Sequence, residues 1–208
     1  MSGLTFDRDT HTYCLDGHVI PHVTQVTDTL CSYAGVPWDV LERKREIGEA
    51  VHYATELDDA GDLDDASLPD EIRGYVEAWR KFKRETGFIV GVAEMRVHST
   101  RFRFAGTLDR IGTFEQLKHV KPTMRCLIDL KTTYAILPAV GPQTAAYAQA
   151  YNETFPDGAR INKRCAVQLK TDGTYNLHDC ADVSDWNVFI SALNLLNWKQ
   201  RHNIEVPA

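Results

Sequence analysis

An aspartate and a lysine two positions apart, Asp129 and Lys131, stand near the end of the otherwise apolar run LIDLKTT at residues 127–133. On a strand, alternation puts both side chains on one face and Leu130 on the other. A charged pair on an interior strand costs on the order of several kcal/mol of desolvation unless partners, a metal or solvent in a cleft offset it. A structural salt bridge is one way to satisfy the pair. A second acid, Asp109 in FAGTLDRIG, lies on the preceding predicted strand, and antiparallel pairing of the two strands would set its carboxylate beside that of Asp129. Two carboxylates so close repel, and a hard divalent cation such as Mg²⁺ or Mn²⁺, which prefers oxygen ligands, relieves the repulsion. A lysine next to that cation can orient a water molecule or help to deprotonate it. The combination suits phosphodiester hydrolysis.

The elements that must position these groups follow from periodicity. HTYCLDGHVIPHVTQVTDTL alternates around the turn dipeptide Asp16-Gly17 and predicts a hairpin leading into a helix near Val23 to Leu30. Apolar residues from Val40 to Leu57 recur at helical spacing, with Asp39 as N-cap and Gly61 as stop, and this helix carries His52. The acidic stretch LDDAGDLDDASLPD lacks periodicity and reads as a solvated loop. After Pro69 a second helix presents Tyr75, Trp79 and Phe82 at core spacing and ends at Gly87. Three strand-like segments follow, FIVGVAEMRVHS, FRFAGTLDRIGTF and RCLIDLKTT, the last nearly continuous in apolar residues as a central strand would be. A helix with Pro142 near its first turn, two strands joined by Asp172-Gly173 and a terminal amphipathic helix complete the chain. The order predicts an α/β fold, a central mixed β-sheet flanked by helices with an N-terminal β-hairpin.

Length and charge narrow the function. At 208 residues and 23.5 kDa the chain fits one domain over 1–208: a hairpin and helical part at 1–87, a sheet core at 88–182 and a C-terminal helix at 183–208. No apolar run approaches the ~18 residues of a membrane span, and MSGLTFDRDT lacks the basic and apolar regions of a signal peptide. The expected location is the cytoplasm of a bacterium or a phage-infected host. Five cysteines, with no CxxC pair, predict free thiols rather than a zinc knuckle or an iron–sulfur cluster. Net charge is −6, yet residues 73–131 hold 13 Lys/Arg against 6 Asp/Glu. A local basic surface can bind phosphates on an acidic molecule, because screening confines the interaction to about 8–10 Å. Arg80, Lys81, Lys83 and Arg84, with Arg96, Arg101 and Arg103, are the candidates for that surface.

Taken together, GTLDRIG, LIDLKTT, QTAAYAQAY and the upstream IGEAVH resemble, in order, the motifs of the PD-(D/E)XK nuclease superfamily, in particular its RecB-like, Cas4-like branch with its stand-alone phage-type exonucleases. Four motifs in order over residues 48–151 are far more specific than an isolated DxK. The resemblance implies a restriction-endonuclease-like core holding one or two Mg²⁺ or Mn²⁺ ions. His52, Asp109 and Asp129 would be ligands, with the backbone carbonyl of Leu130, and Lys131 would act on the nucleophilic water. Glu94 in GVAEMRVHS falls where many members carry a glutamate near the second metal or the scissile end. Gln143 and Tyr147, four apart on one helical face, would support Lys131 or contact the DNA backbone. Position 129 is Asp rather than Glu, a variant common in the branch, and the cysteine quartet of its iron–sulfur members is missing. DNA is the implied partner, with the protein either stand-alone or recruited by a single-strand-annealing, recombination or replication protein.

Each residue also has a plainer reading: a satisfied histidine on an amphipathic helix for His52, surface charge for Glu94, core for Tyr147, a solvated helix face for WRKFKRE. Two other functions remain compatible with these residues, a nuclease-derived DNA- or protein-binding module that does not cut, and a phosphohydrolase of small molecules, which the basic middle third disfavours.

Overall fold

A computed structural model of the chain describes residues 3–32, 35–155 and 160–204. The N-terminal residues form a small antiparallel sheet of β1 (Leu4–Asp7), β2 (Thr12–Leu15) and β3 (His18–Ile20), in that order. The predicted Asp16-Gly17 hairpin is its second half; β1 was not anticipated, being four residues long and followed at once by polar turn residues. A short helix, α1 (Val23–Asp28), comes next.

The two long helices stand where periodicity puts them. α2 spans Trp38–Ala60 and ends on Gly61, whose φ of 77° supplies the left-handed turn. Its N-cap is Pro37, two residues before the expected Asp39, which instead lies in the first turn, where a carboxylate faces the helix dipole favourably. α3 spans Asp70–Thr86, and Gly87 closes it the same way. The expected acidic loop is only partly a loop: Asp58 and Asp59 belong to the last turn of α2, and Asp65–Ser67 form a 3₁₀ turn.

The main sheet has the order β4-β5-β6-β7-β8, made of Phe88–Ser99, Phe104–Phe114, Arg125–Lys131, Ile161–Leu169 and Tyr175–Asp179. β6 is central, as its apolar run requires. It pairs antiparallel with β5 and parallel with β7, and α4 (Val140–Thr154) makes the crossover. The sheet is therefore mixed. α5 (Asp185–Arg201) follows β8.

Helices cover both faces. On one, Val51, Trp79 and Phe82 of α2 and α3 pack with Ile128 and Leu130; on the other, Tyr147 and Phe189 of α4 and α5 pack with Leu127. Alternation along β6 thus sends Asp129 and Lys131 to the α4 face. Tyr75, Trp79 and Phe82 are all buried, as their spacing predicted.

Candidate metal centre

Three adjacent strands line up the acids. Ala93 pairs with Arg110 and Met95 with Leu108, which brackets Glu94 against Asp109. The β5–β6 ladder ends at the pair Arg110 and Ile128, so Asp109 and Asp129 are the next residues on their strands. The antiparallel neighbours expected from the sequence are present. Asp109 does not simply face its counterpart; its Oδ2 accepts a hydrogen bond from the Leu130 backbone N–H at 2.6 Å, which ties β5 to β6 where the ladder stops.

His52 reaches this row from α2. Its Nδ1 stands 3.6 Å from Glu94 Oε1 and 3.6 Å from Asp109 Oδ1. One ligand atom from each of His52, Glu94 and Asp109 lies within 4.8 Å of the others, a nitrogen and two oxygens with the spacing and chemistry to hold a cation. Burial opposes a charge on His52, but the carboxylates of Asp109 and Glu94 prevail and raise its pKa. Burial likewise works against the Glu94 carboxylate, while His52 and Arg110 outweigh it and lower its pKa.

Asp129 and Lys131 form a separate couple beside the cluster. Asp129 is 2% exposed, and neither oxygen accepts a hydrogen bond among the described residues. Lys131 Nζ lies 2.8 Å from Oδ2 as an ion pair rather than an aligned hydrogen bond. Burial, then repulsion from Asp109, pushes the Asp129 carboxyl up to about 6 against the pull of Lys131. Burial disfavours the Lys131 ammonium too, but Asp129 and Asp109 reverse this and raise its pKa. The expected ligand set of His52, Asp109, Asp129 and Glu94 is thus drawn together as three, with Asp129 turned to its lysine. A buried carboxylate whose Oδ1 finds no partner among the described residues, next to a three-ligand cluster, has the chemistry of a cation-binding site, so the residues fit a divalent metal.

Arg110 is the residue that sequence reasoning passed over. It lies fully buried within the quoted GTLDRIG. Its Nε donates to Asp59 Oδ2 at 2.6 Å, one terminal nitrogen donates to Glu94 Oε1 at 2.7 Å and to the Asp109 carbonyl at 2.8 Å, and the other donates to Thr55 Oγ1 at 3.1 Å. Glu94 adopts φ +46°, a left-handed conformation that costs a non-glycine residue about 1–3 kcal/mol. The Arg110 contact holds its carboxylate in the cluster despite that strain. An arginine immediately after a candidate ligand aspartate was the available signal, but its partners on α2 are 51 and 55 residues away in sequence.

The remaining candidates divide. Tyr147 is 4% exposed and packs in the core beneath α4, with its hydroxyl pushed well above the usual range by burial. Gln143, half-buried, donates a long bond of 3.5 Å to the Tyr147 hydroxyl. Arg96 is exposed and lies over the Phe6 ring at 4.9 Å. Arg103 sits in the β4–β5 turn, five to six residues along β5 from Asp109, roughly 17–20 Å at strand rise. Two of the proposed phosphate trackers are already neutralised. Arg80 pairs with Asp58, Asp65 and Glu77, and Lys83 with Asp58 and Asp59. Asp58 and Asp59 come from the stretch that seemed a solvated loop; with their side chains shielded at the end of α2, they bind α3 to it.

No protein-family model matches the chain, and no curated protein does. Among solved structures it is similar to a candidate exonuclease from Eubacterium rectale, with 13% identity, 88% of this chain and 79% of that one covered, and a TM-score of 0.48. It is also similar to LHK-Exo, the alkaline exonuclease of Laribacter hongkongensis, in complex with dAMP: 15% identity, 88% and 89% coverage, TM-score 0.46. Overlaps this loose carry no residue roles, and the chemistry of the site rests on its own geometry.

Proposed function

We propose that the protein is a divalent-metal-dependent DNA nuclease of the PD-(D/E)XK type, in its RecB-like branch, acting from DNA ends in bacterial or phage recombination, replication or repair. One observation carries the reading: His52, Glu94 and Asp109, from three separate elements, meet within 4.8 Å beside the buried Asp129–Lys131 couple. A structural salt bridge would explain Asp129 and Lys131 alone. It would not explain a histidine and two further carboxylates assembled next to them, at a cost in desolvation and in the strained Glu94 backbone.

In this reading His52, Glu94 and Asp109 would hold Mg²⁺ or Mn²⁺, with Asp129 as a further oxygen ligand. The bound ion would supply Lewis-acid stabilisation of charge developing on the phosphate. Lys131, kept protonated by its two acidic neighbours, orients a water molecule toward phosphorus and adds positive charge. Asp109 has one oxygen fixed by the Leu130 N–H, which aims the other at the cluster. Arg110 keeps Glu94 in place. DNA is the substrate, and a single-strand-annealing, recombination or replication protein is the class of partner that would recruit a chain of this kind.

The test is digestion of end-labelled linear and circular DNAs, single- and double-stranded, with Mg²⁺, Mn²⁺ or EDTA. Linear DNA should be degraded with either metal, circles spared, and EDTA should stop the reaction. Asp129→Ala and Lys131→Ala should each reduce cleavage by at least about 10³-fold with the circular dichroism spectrum unchanged. Cleavage that survives EDTA or either substitution would overturn the assignment.

A further inference from the structure

Three residues beyond Lys131, the chain presents an aromatic ring entirely to solvent. Tyr134 has 102% of the exposure of a free residue, the largest among the exposed large hydrophobic side chains. A tyrosine so placed gains nothing from packing, and a loose loop would be the ordinary explanation. This loop is not loose at its backbone. Gln168, 5% exposed on β7, donates from one side-chain nitrogen to the carbonyls of Thr133 at 2.8 Å and Tyr134 at 2.7 Å, and its own oxygen accepts from Asn176 at 3.0 Å. Thr133 Oγ1 donates to the Ala135 carbonyl at 2.9 Å. A buried amide thus fixes the backbone from which the exposed ring projects. On the site's other flank, α2 approaches the same segment, since a Cβ on Gly48 would stand 3.6 Å from Thr132 Oγ1.

Chain length sets the reach. Three residues span at most about 11 Å, so the backbone that carries Tyr134 lies no farther than that from the backbone of Lys131. An aromatic face on a fixed loop that follows Lys131 so closely, with no ring contact among the described residues, suits a nucleobase that has left its stack, and every base offers such a face.

We propose that Tyr134 is a base-stacking platform that holds an unstacked nucleobase of the strand entering the metal centre, making single-stranded or frayed DNA the favoured substrate. The assignment rests on the nuclease reading above and deepens it. It gives the loop after β6 a binding role distinct from the catalytic one of Lys131.

The test measures binding of the full-length protein to a fluorescent single-stranded thymidine 12-mer, and to the same strand with abasic tetrahydrofuran residues, by anisotropy with Ca²⁺ present to slow cleavage. Tyr134→Ala should weaken binding to the 12-mer by about 5- to 100-fold, the range of a single base–aromatic stack, and leave the affinity for the abasic strand unchanged. Tyr134→Phe, which keeps the ring and removes the hydroxyl, should bind like the wild type. An unchanged affinity in Tyr134→Ala, or an equal loss on both strands, would overturn the platform. Because the readout is binding, it stands apart from the nuclease reading, which is tested by the cleavage assays above.

Discussion

Arg110 shows how much of the candidate centre depends on a residue shut away from solvent. Its guanidinium is fully buried and donates to two carboxylates, a carbonyl and a hydroxyl, a geometry that a lysine cannot reproduce. Burial opposes its charge, but Asp59 first, then Asp109 and Glu94, raise its pKa. Arg110→Ala would leave the buried Asp59 carboxylate and Glu94 without this partner, and urea denaturation should show a loss of about 3–5 kcal/mol. Arg110→Lys should recover part of that stability while metal affinity, followed by calorimetry, stays weakened, because Glu94 would no longer be held in its left-handed backbone. Asp129 and Lys131 were legible from spacing alone. Arg110 was not, since its role is defined by α2 residues more than fifty positions earlier.

The elements were predicted largely correctly because hydrophobic period and glycine stops are local. Their contacts are not, and glycines in α2 and α3 separate the two. A Cβ on Gly74 of α3 would lie 1.8 Å from the Thr171 carbonyl oxygen in the β7–β8 turn, whereas on Gly48 of α2 it meets only ordinary van der Waals contact. Gly74→Ala should therefore destabilise by about 1–3 kcal/mol through backbone displacement. Gly48→Ala should stabilise by up to about 1 kcal/mol through helix propensity. Opposite shifts in urea midpoint would check this. At the start of the fold, His22 caps α1 as a neutral acceptor, taking a bond from the Gln25 N–H at 3.2 Å. Burial and then His11 lower its pKa from 6.5 to about 4. Between those values the unfolded chain takes up a proton that the folded chain refuses, so stability falls as pH drops from about 6.5 to about 4. Thermal melts across that range should show the decline, and His22→Asn, which retains a capping oxygen, should flatten it.

Across the whole molecule, the charge pattern was right in sum and misleading in use. The basic middle third exists in sequence, but Arg80, Lys83 and Arg110 spend their charge on acids from the N-terminal third. Arg80 and Lys83 join α3 to the end of α2, and Arg110 joins β5 to it. A cation binding only the folded protein should stabilise all of it: Mg²⁺ or Mn²⁺ at a hundredfold excess over Kd adds about 2.7 kcal/mol, an increase of about 5–10 °C in Tm for a chain of this size. Asp109→Asn should abolish most of that increase, and EDTA should reverse it in the wild type.

Sequence by itself determined most of the helices and strands, the centrality of β6 and the pairing of an acid with a lysine on one face, because each depends on residues within a turn or a strand of one another. Only the tertiary structure decided which groups meet. It brought His52 and Glu94 to Asp109, left Asp129 with Lys131, buried Arg110 among distant acids, took Tyr147 into the core and stood Tyr134 in solvent. Those outcomes follow from strand register and helix docking, which join positions separated by tens of residues and leave no mark in local spacing.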